Sequence, residues 1–458
     1  MKSFEKIALI IIFMLKFIFN KDGIITLPFE KEIPNLKDVE PKKVIYPSLA
    51  HNIIMAEIRV GSSPQTMKLR LEFENYVFYI ASKSSLSDIK FDETKSETYQ
   101  KIQDEEINFG YSKLKMAVFS SDYIYYEKNR NTKYETKFLL GTSTDQDKAG
   151  GLIGLNLEDV AQIKDLNNYN FLNELKRIGI IKDYYFTIKY TDKNKGNIIL
   201  GDLPHNYDNN YNEKNYLQTY ADFSENDLTW KIKFEIVYIA EKENSFNRTE
   251  VEQFAYGYFR IEKNIIEGTE KYRQQLLSTF MQEQIDKNLC FELASDIYYS
   301  YYCKKEADIS KMQNIYFYNK DIDTLELTYK DLFYYNEYDG YQYFLVVFST
   351  DTEDQDGFNK FWILGEPFFK KYQFIFNKDS KSIGRYTSID NKNIEESWLK
   401  RNKVYIILIV ILVIMFLVIG VLIIIILNKK PSRKKKANEL DDEFEYSSDN
   451  NQNKLVND

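Results

Sequence analysis

From residue 53 onward the chain alternates between apolar and polar positions. Ile53 to Val60 reads as a strand, Gly61-Ser62-Ser63-Pro64-Gln65 as a turn, and Met67-Lys68-Leu69-Arg70-Leu71-Glu72-Phe73 as a half-buried strand. Tyr76-Val77-Phe78-Tyr79-Ile80 is a further apolar run. Short strand patterns recur to Tyr386, while helical periodicity is scarce. One helix is expected over residues 170–178, where Phe171, Leu172, Leu175 and Ile178 share a face, and another over 271–284, with Leu276, Leu277 and Phe280. Tyr185-Phe186-Thr187-Ile188 and Asn197-Ile198-Ile199-Leu200-Gly201 close a first series as strands. A second series opens at Leu228-Thr229-Trp230, alternates to Ile236, and continues through the mainly apolar, charge-interrupted stretch 254–266. Between them, residues 201–223 are rich in Asn, Asp and Tyr and read as a linker. The expected fold class is mainly β and bilobal, with lobes over residues 51–217 and 218–390.

The two ends break this pattern. Residues 1–19 place Lys2 and Lys6 ahead of an apolar run, as a secretory signal peptide does; no small-residue cleavage site is visible, and an uncleaved signal anchor is the alternative. Residues 20–50 read as a charged, proline-punctuated leader or propeptide-like segment without strong periodicity. After a juxtamembrane linker (391–403), residues 404–427 carry no charge, and a helix of that length rises roughly 36 Å, enough to span a bilayer. Lys429, Lys430, Arg433, Lys434, Lys435 and Lys436 follow and mark the cytoplasmic side, with Lys400, Arg401 and Lys403 weakening the asymmetry without reversing it. The expectation is a type I, single-pass membrane protein with a short cytoplasmic tail (428–458). Its ectodomain would be lumenal or extracellular, on the secretory route, at the plasma membrane or in an endolysosomal or vacuolar compartment.

Composition adds limits. Of 458 residues 44% are hydrophobic, which is globular, and the net charge of -8 with basic residues scattered among acids gives no nucleic-acid signal, so no nucleic-acid partner is expected. The only cysteines, Cys290 and Cys303, lie in the exported part; they form a disulfide there or remain two separate buried thiols. Asn247-Arg248-Thr249 is a glycosylation acceptor triplet, of a kind that also arises by chance. His51 and His205 are the only histidines, and without a Cys cluster a zinc site or a Ser-His triad has little to draw on. Neither a metal nor a cofactor is expected.

The most informative stretch is Phe361-Trp362-Ile363-Leu364-Gly365-Glu366-Pro367-Phe368-Phe369, running on through Tyr372-Gln373-Phe374-Ile375-Phe376 to Ile383-Gly384. It reads as a buried strand ending at a glycine, a Pro-started turn, an aromatic-rich strand, a turn and a last strand. This block resembles the closing segment of the pepsin-like aspartic peptidases, in which an apolar-apolar-Gly element packs beneath the active-site loop. Other pieces follow in that family's order: Val60-Gly61-Ser62-Ser63-Pro64-Gln65, Gly151-Leu152-Ile153-Gly154-Leu155, the helix and strands from Phe171 to Gly201, and Leu228-Thr229-Trp230. Cys290 and Cys303 sit where the second lobe of such proteins carries a disulfide. The resemblance covers about residues 52–389 and implies the bilobal pepsin-like fold.

Each lobe of that family presents an Asp-Thr-Gly loop, and no Asp-Thr-Gly or Asp-Ser-Gly triplet occurs in this chain. The matching segments are Glu72-Phe73-Glu74-Asn75 and Arg260-Ile261-Glu262-Lys263, and Phe109 stands at the position of the flap tyrosine. Aspartic peptidases work through two carboxylates that share one proton. Glu72 is one methylene too long, and Arg260 stays protonated, so no catalytic residue is intact. Glu74 and Glu262 replace the loop glycines and are expected to crowd the backbone. Glu72 and Arg260 are expected to meet across the lobes as an ion pair. The resemblance therefore implies a catalytically inactive pseudopeptidase whose cleft binds a peptide or protein segment; the alternative is an active membrane-anchored aspartic endopeptidase.

Overall fold

The computed structural model describes residues 23–32, 53–102, 114–126, 132–143, 148–157, 166–223, 229–243, 245–295, 298–349, 361–388 and 415. The segments expected as signal peptide and tail, all of the expected membrane span but residue 415, and Phe109 lie outside them. Among the described residues no helix is long and apolar enough to cross a membrane. The chain divides into Met1–Ile389 and Asp390–Asp458, and every described strand belongs to the first unit.

Alternation in the sequence becomes strand after strand. The first half supplies β1 (Ile25–Lys31), β2 (Ile54–Val60), β3 (Gln65–Glu72), β4 (Phe78–Ala81), β5 (Gln100–Lys101), β6 (Leu114–Tyr125), β7 (Tyr134–Ser143), β8 (Gly151–Gly154), β9 (Tyr185–Tyr190), β10 (Lys195–Leu200) and β11 (Tyr216–Tyr220). The second supplies β12 (Lys231–Ala240), β13 (Thr249–Phe259), β14 (Ile266–Gly268), β15 (Cys290–Ala294), β16 (Tyr298–Lys304), β17 (Asn314–Asn319), β18 (Asp323–Leu327), β19 (Phe333–Tyr335), β20 (Tyr341–Phe344), β21 (Val346–Ser349), β22 (Phe361–Leu364), β23 (Ile375–Asn377) and β24 (Ser382–Tyr386). They form a 13-stranded sheet, β11-β24-β23-β9-β10-β1-β2-β3-β8-β4-β7-β6-β5, and an 11-stranded sheet, β18-β17-β12-β13-β22-β14-β21-β16-β20-β19 with β15 on β16.

One pairing scheme occurs twice. In the first half β3 runs parallel to β8, β8 antiparallel to β4, and β4 parallel to β7. In the second, β13 runs parallel to β22, β22 antiparallel to β14, and β14 parallel to β21. Each half thereby throws a loop off the end of an alternating strand, after Glu72 and after Phe259, and lays it over a strand ending in glycine. A Cβ on Gly154 would come within 2.6 Å of the Asn75 carbonyl oxygen, and one on Gly365 within 2.0 Å of the Ile265 carbonyl oxygen. Only glycine leaves room for the loops at these two crossings.

The halves are joined by an aromatic core. The Phe376 ring lies 5.0 Å from Phe73, 5.0 Å from Phe186, 5.1 Å from Trp230 and 5.3 Å from Phe259, all buried. Such rings contribute both area and edge-to-face contacts. Trp230 Nε1 also donates to the Leu155 carbonyl at 2.7 Å, which ties the start of β12 to the end of β8.

Several expectations change. Residues 25–31 are a strand, in place of a segment without periodicity: Ile25, Leu27 and Phe29 are buried in alternation, and β1 sits between β10 and β2. Pro28 disguised this strand; it is exposed and lies beyond the part of β1 that pairs with β2, where its missing N–H is tolerated. The segment read as a linker holds the helix Pro204–Tyr207 and β11. Because β11 pairs with β24, the boundary drawn between residues 217 and 218 falls inside a strand of a shared sheet. The Pro-started turn is the short helix Glu366–Lys371. Residues 271–284 lie on a helix, entered through the Thr269 cap and widened by a π segment at Leu277–Met281. Cys290 and Cys303 face each other across the β15–β16 hairpin in a disulfide, so the alternative of separate thiols is excluded.

Candidate functional site between the two central loops

β3 buries Met67, Leu69 and Leu71, so Arg70 and Glu72 share its other face, each partly covered. Two residues apart on one face, they are direct neighbours. Arg70 Nη1 donates to Glu72 Oε1 at 3.2 Å, and Asn75 Nδ2 donates to Glu72 Oε2 from the far end of the loop. Glu72 and Asn75 are also held through their main chains, by Leu155 N–H on the Glu72 carbonyl (2.8 Å) and Asn156 N–H on the Asn75 carbonyl (2.9 Å).

The second loop starts where β13 ends. Arg260 N–H donates to the Leu364 carbonyl at 3.1 Å, and the Arg260 carbonyl accepts from Lys263 N–H at 3.2 Å, which closes a tight turn. That turn folds Glu262 back beside Arg260, with 3.8 Å between Arg260 Nη1 and Glu262 Oε1. The other carboxylate oxygen crosses to the first loop, where Glu262 Oε2 accepts the Phe73 N–H at 3.1 Å. Burial pushes the Glu262 carboxyl up to about 7; Arg260 opposes this, and the charge of Glu72 adds to it.

The expected ion pair between Glu72 and Arg260 is not formed. Each takes its charged partner from its own segment, Arg70 for Glu72 and Glu262 for Arg260. The reason is reach: a neighbour two residues away on the same strand face or turn needs no crossing of the lobe boundary. The expected crowding also fails at Glu74, whose side chain is exposed. Positive φ among described non-glycine residues is confined to Phe254, Asn288, Asp323 and Lys381, so neither Glu74 nor Glu262 needs glycine's backbone freedom. The second residue of each loop faces inward: Phe73 and Ile261 are fully buried.

A further ionic contact braces the second loop from below. Glu366, whose N–H donates to the Lys263 carbonyl at 2.8 Å, accepts from Lys31 Nζ at 2.8 Å and lies 3.1 Å from Lys370 Nζ. Burial lowers the pKa of Lys31, with Glu366 opposing.

The remaining candidate residues sit elsewhere. Asn247 is exposed in the turn between β12 and β13, its N–H donating to Ser245 Oγ at 3.2 Å. His205 Nδ1 is 2.7 Å from the Tyr386 hydroxyl. Among the described residues no group of three or more His, Cys, Asp or Glu is arranged to hold a metal ion. Sequence reasoning missed Arg70 and Asn75, and it placed Glu262 in the loop without its crossing bond. The alternation of β3 carried the signal for Arg70, since it sets residues 70 and 72 on one face.

The pattern for eukaryotic aspartyl proteases matches residues 54–386, from the first residue of β2 to the last of β24. No curated protein matches the chain.

Proposed function

This chain belongs to the eukaryotic aspartyl protease family, and from the charges at its two central loops we infer that it is a pseudopeptidase: it holds a peptide or protein segment between its halves without hydrolysing it. The observation that carries this reading is the occupancy of the central acids. A working dyad needs two carboxylates free to share one proton and one water. Here one position is Arg260, a permanent cation, and Glu72 has one oxygen on Arg70 and the other on Asn75. The reading extends to the membrane: the charge-free run at 404–427 and the basic cluster after it support a type I anchor, with the ectodomain outside the cytoplasm and Asn247 exposed for glycosylation.

One observation favours the second reading, an active endopeptidase. Glu72 acts electrostatically on Glu262, whose carboxyl is pushed up to about 7 by burial, so two carboxyl groups of the facing loops interact. Against it, Glu262 Oε2 is occupied by the Phe73 N–H and Oε1 is turned to Arg260. A peptide-cleavage assay in acid, with and without pepstatin, separates the two. The pseudopeptidase reading requires no pepstatin-sensitive turnover; turnover abolished by Glu72→Ala or Glu262→Ala overturns it.

A further inference from the structure

The Arg260 guanidinium makes no hydrogen bond to any described residue. Its Nη1 is buried, and 3.8 Å to Glu262 Oε1 is beyond hydrogen-bonding range. Its Nε and Nη2 are not among the buried unbonded atoms, so they reach solvent through the 16% of the side chain that stays exposed. Those two nitrogens form the edge of a guanidinium that takes a carboxylate through two parallel N–H···O bonds.

We propose that Arg260 is the docking point for a carboxylate carried by the segment held between the halves, an Asp or Glu side chain or a free C-terminus. This rests on the peptide-holding reading and names the class of segment it selects, an acidic one. The bonding of the neighbouring carboxylates supports it. Two guanidiniums, Arg70 and Arg260, stand at the loops with Glu72 and Glu262. Glu72 is engaged by Arg70 and Asn75. Glu262 faces Arg260 on its own loop and Glu72 from the opposite one, and with its carboxyl at about 7 it carries only part of a charge near neutrality. Neither carboxylate supplies an acceptor to the open Arg260 donors, which still need one. A guanidinium largely removed from water without an acceptor is costly, and a bound carboxylate removes that cost.

The test uses the full chain in detergent and fluorescein-labelled degenerate heptapeptide pools read by anisotropy. One pool has a central Glu and an amidated end, one a central Gln and an amidated end, and one a central Gln with a free terminal carboxylate. The wild type should bind at least one of the acidic pools roughly tenfold or more tighter than the amidated Gln pool, and the two acidic pools tell a side-chain carboxylate from a terminal one. Arg260→Met should remove the preference without weakening the amidated Gln pool, and Arg260→Lys should keep only part of it. Equal binding of all pools by the wild type overturns the carboxylate site and leaves the peptide-holding reading standing, whether or not the variants fold. A preference that survives Arg260→Met also overturns it. If no pool binds, both readings fall.

Discussion

Glu262 reaches out of the second half and accepts the backbone N–H of Phe73 in the first, at 3.1 Å. A side chain of the second loop thus serves as a strut between the halves. Its carboxyl group is largely buried, lies near Arg260, and feels the charge of Glu72. These facts couple its protonation to the contact between the halves.

The Glu262 pKa is raised in the fold, from 4.5 to about 7. Its stabilising proton uptake is complete below about pH 4.5 and is lost as pH rises through about 7, a contribution on the order of 3 kcal/mol. Glu262→Gln keeps an acceptor for the Phe73 N–H and cannot ionise. Relative to wild type it should be near neutral at about pH 4 and more stable above about pH 8, as urea titrations at the two pH values would show. A Gln variant equally unstable at both would contradict the raised pKa.

Arg70 neutralises Glu72 where both are mostly covered, at 13% side-chain exposure each. Arg70→Leu should therefore destabilise by about 1–3 kcal/mol, because it strips a charge-assisted bond from a covered carboxylate. The same change in a Glu72→Gln background should cost less than about 1 kcal/mol. The double-mutant cycle is the measurement, and additive costs would remove Arg70 from its assigned role.

Phe376 touches six other buried rings drawn from both halves. Truncation to alanine should cost about 3–5 kcal/mol in chemical denaturation, as for other fully buried aromatics. The loss should also loosen both sheets together, read as faster hydrogen exchange in β9 and β13 alike.

At Gly365 an added methyl group would lie 2.0 Å from the Ile265 carbonyl oxygen, a backbone atom that cannot move aside. Gly365→Ala should destabilise by more than about 2 kcal/mol, while Gly340→Ala, with open space around its Cβ, tests backbone strain alone. Thermal melts of the two variants distinguish steric crowding from dihedral cost.

Much of the architecture could be read directly. The period-two runs became β2, β3 and β12, and the Phe171 face became a helix capped by Asn170. What hid β1 was Pro28, since a proline in a short run reads as punctuation until a neighbour is known to leave its N–H unneeded. What hid β11 was its company: a strand of Tyr, Leu, Gln and Thr is unremarkable until the distant β24 pairs with it, Tyr216 against Tyr386.

The same division runs through the site. Residue identity alone determined that Arg260 is a permanent cation, and alternation alone put Arg70 and Glu72 on one face. Which charges actually meet was decided only in three dimensions. Glu72 and Arg260 looked complementary along the chain, yet each has its nearest opposite charge on its own segment, and the bond between halves runs through Glu262 to a backbone N–H. Short-range periodicity reports which face a side chain takes. The distance between two loops depends on how both halves pack around Phe376, and no local pattern encodes that.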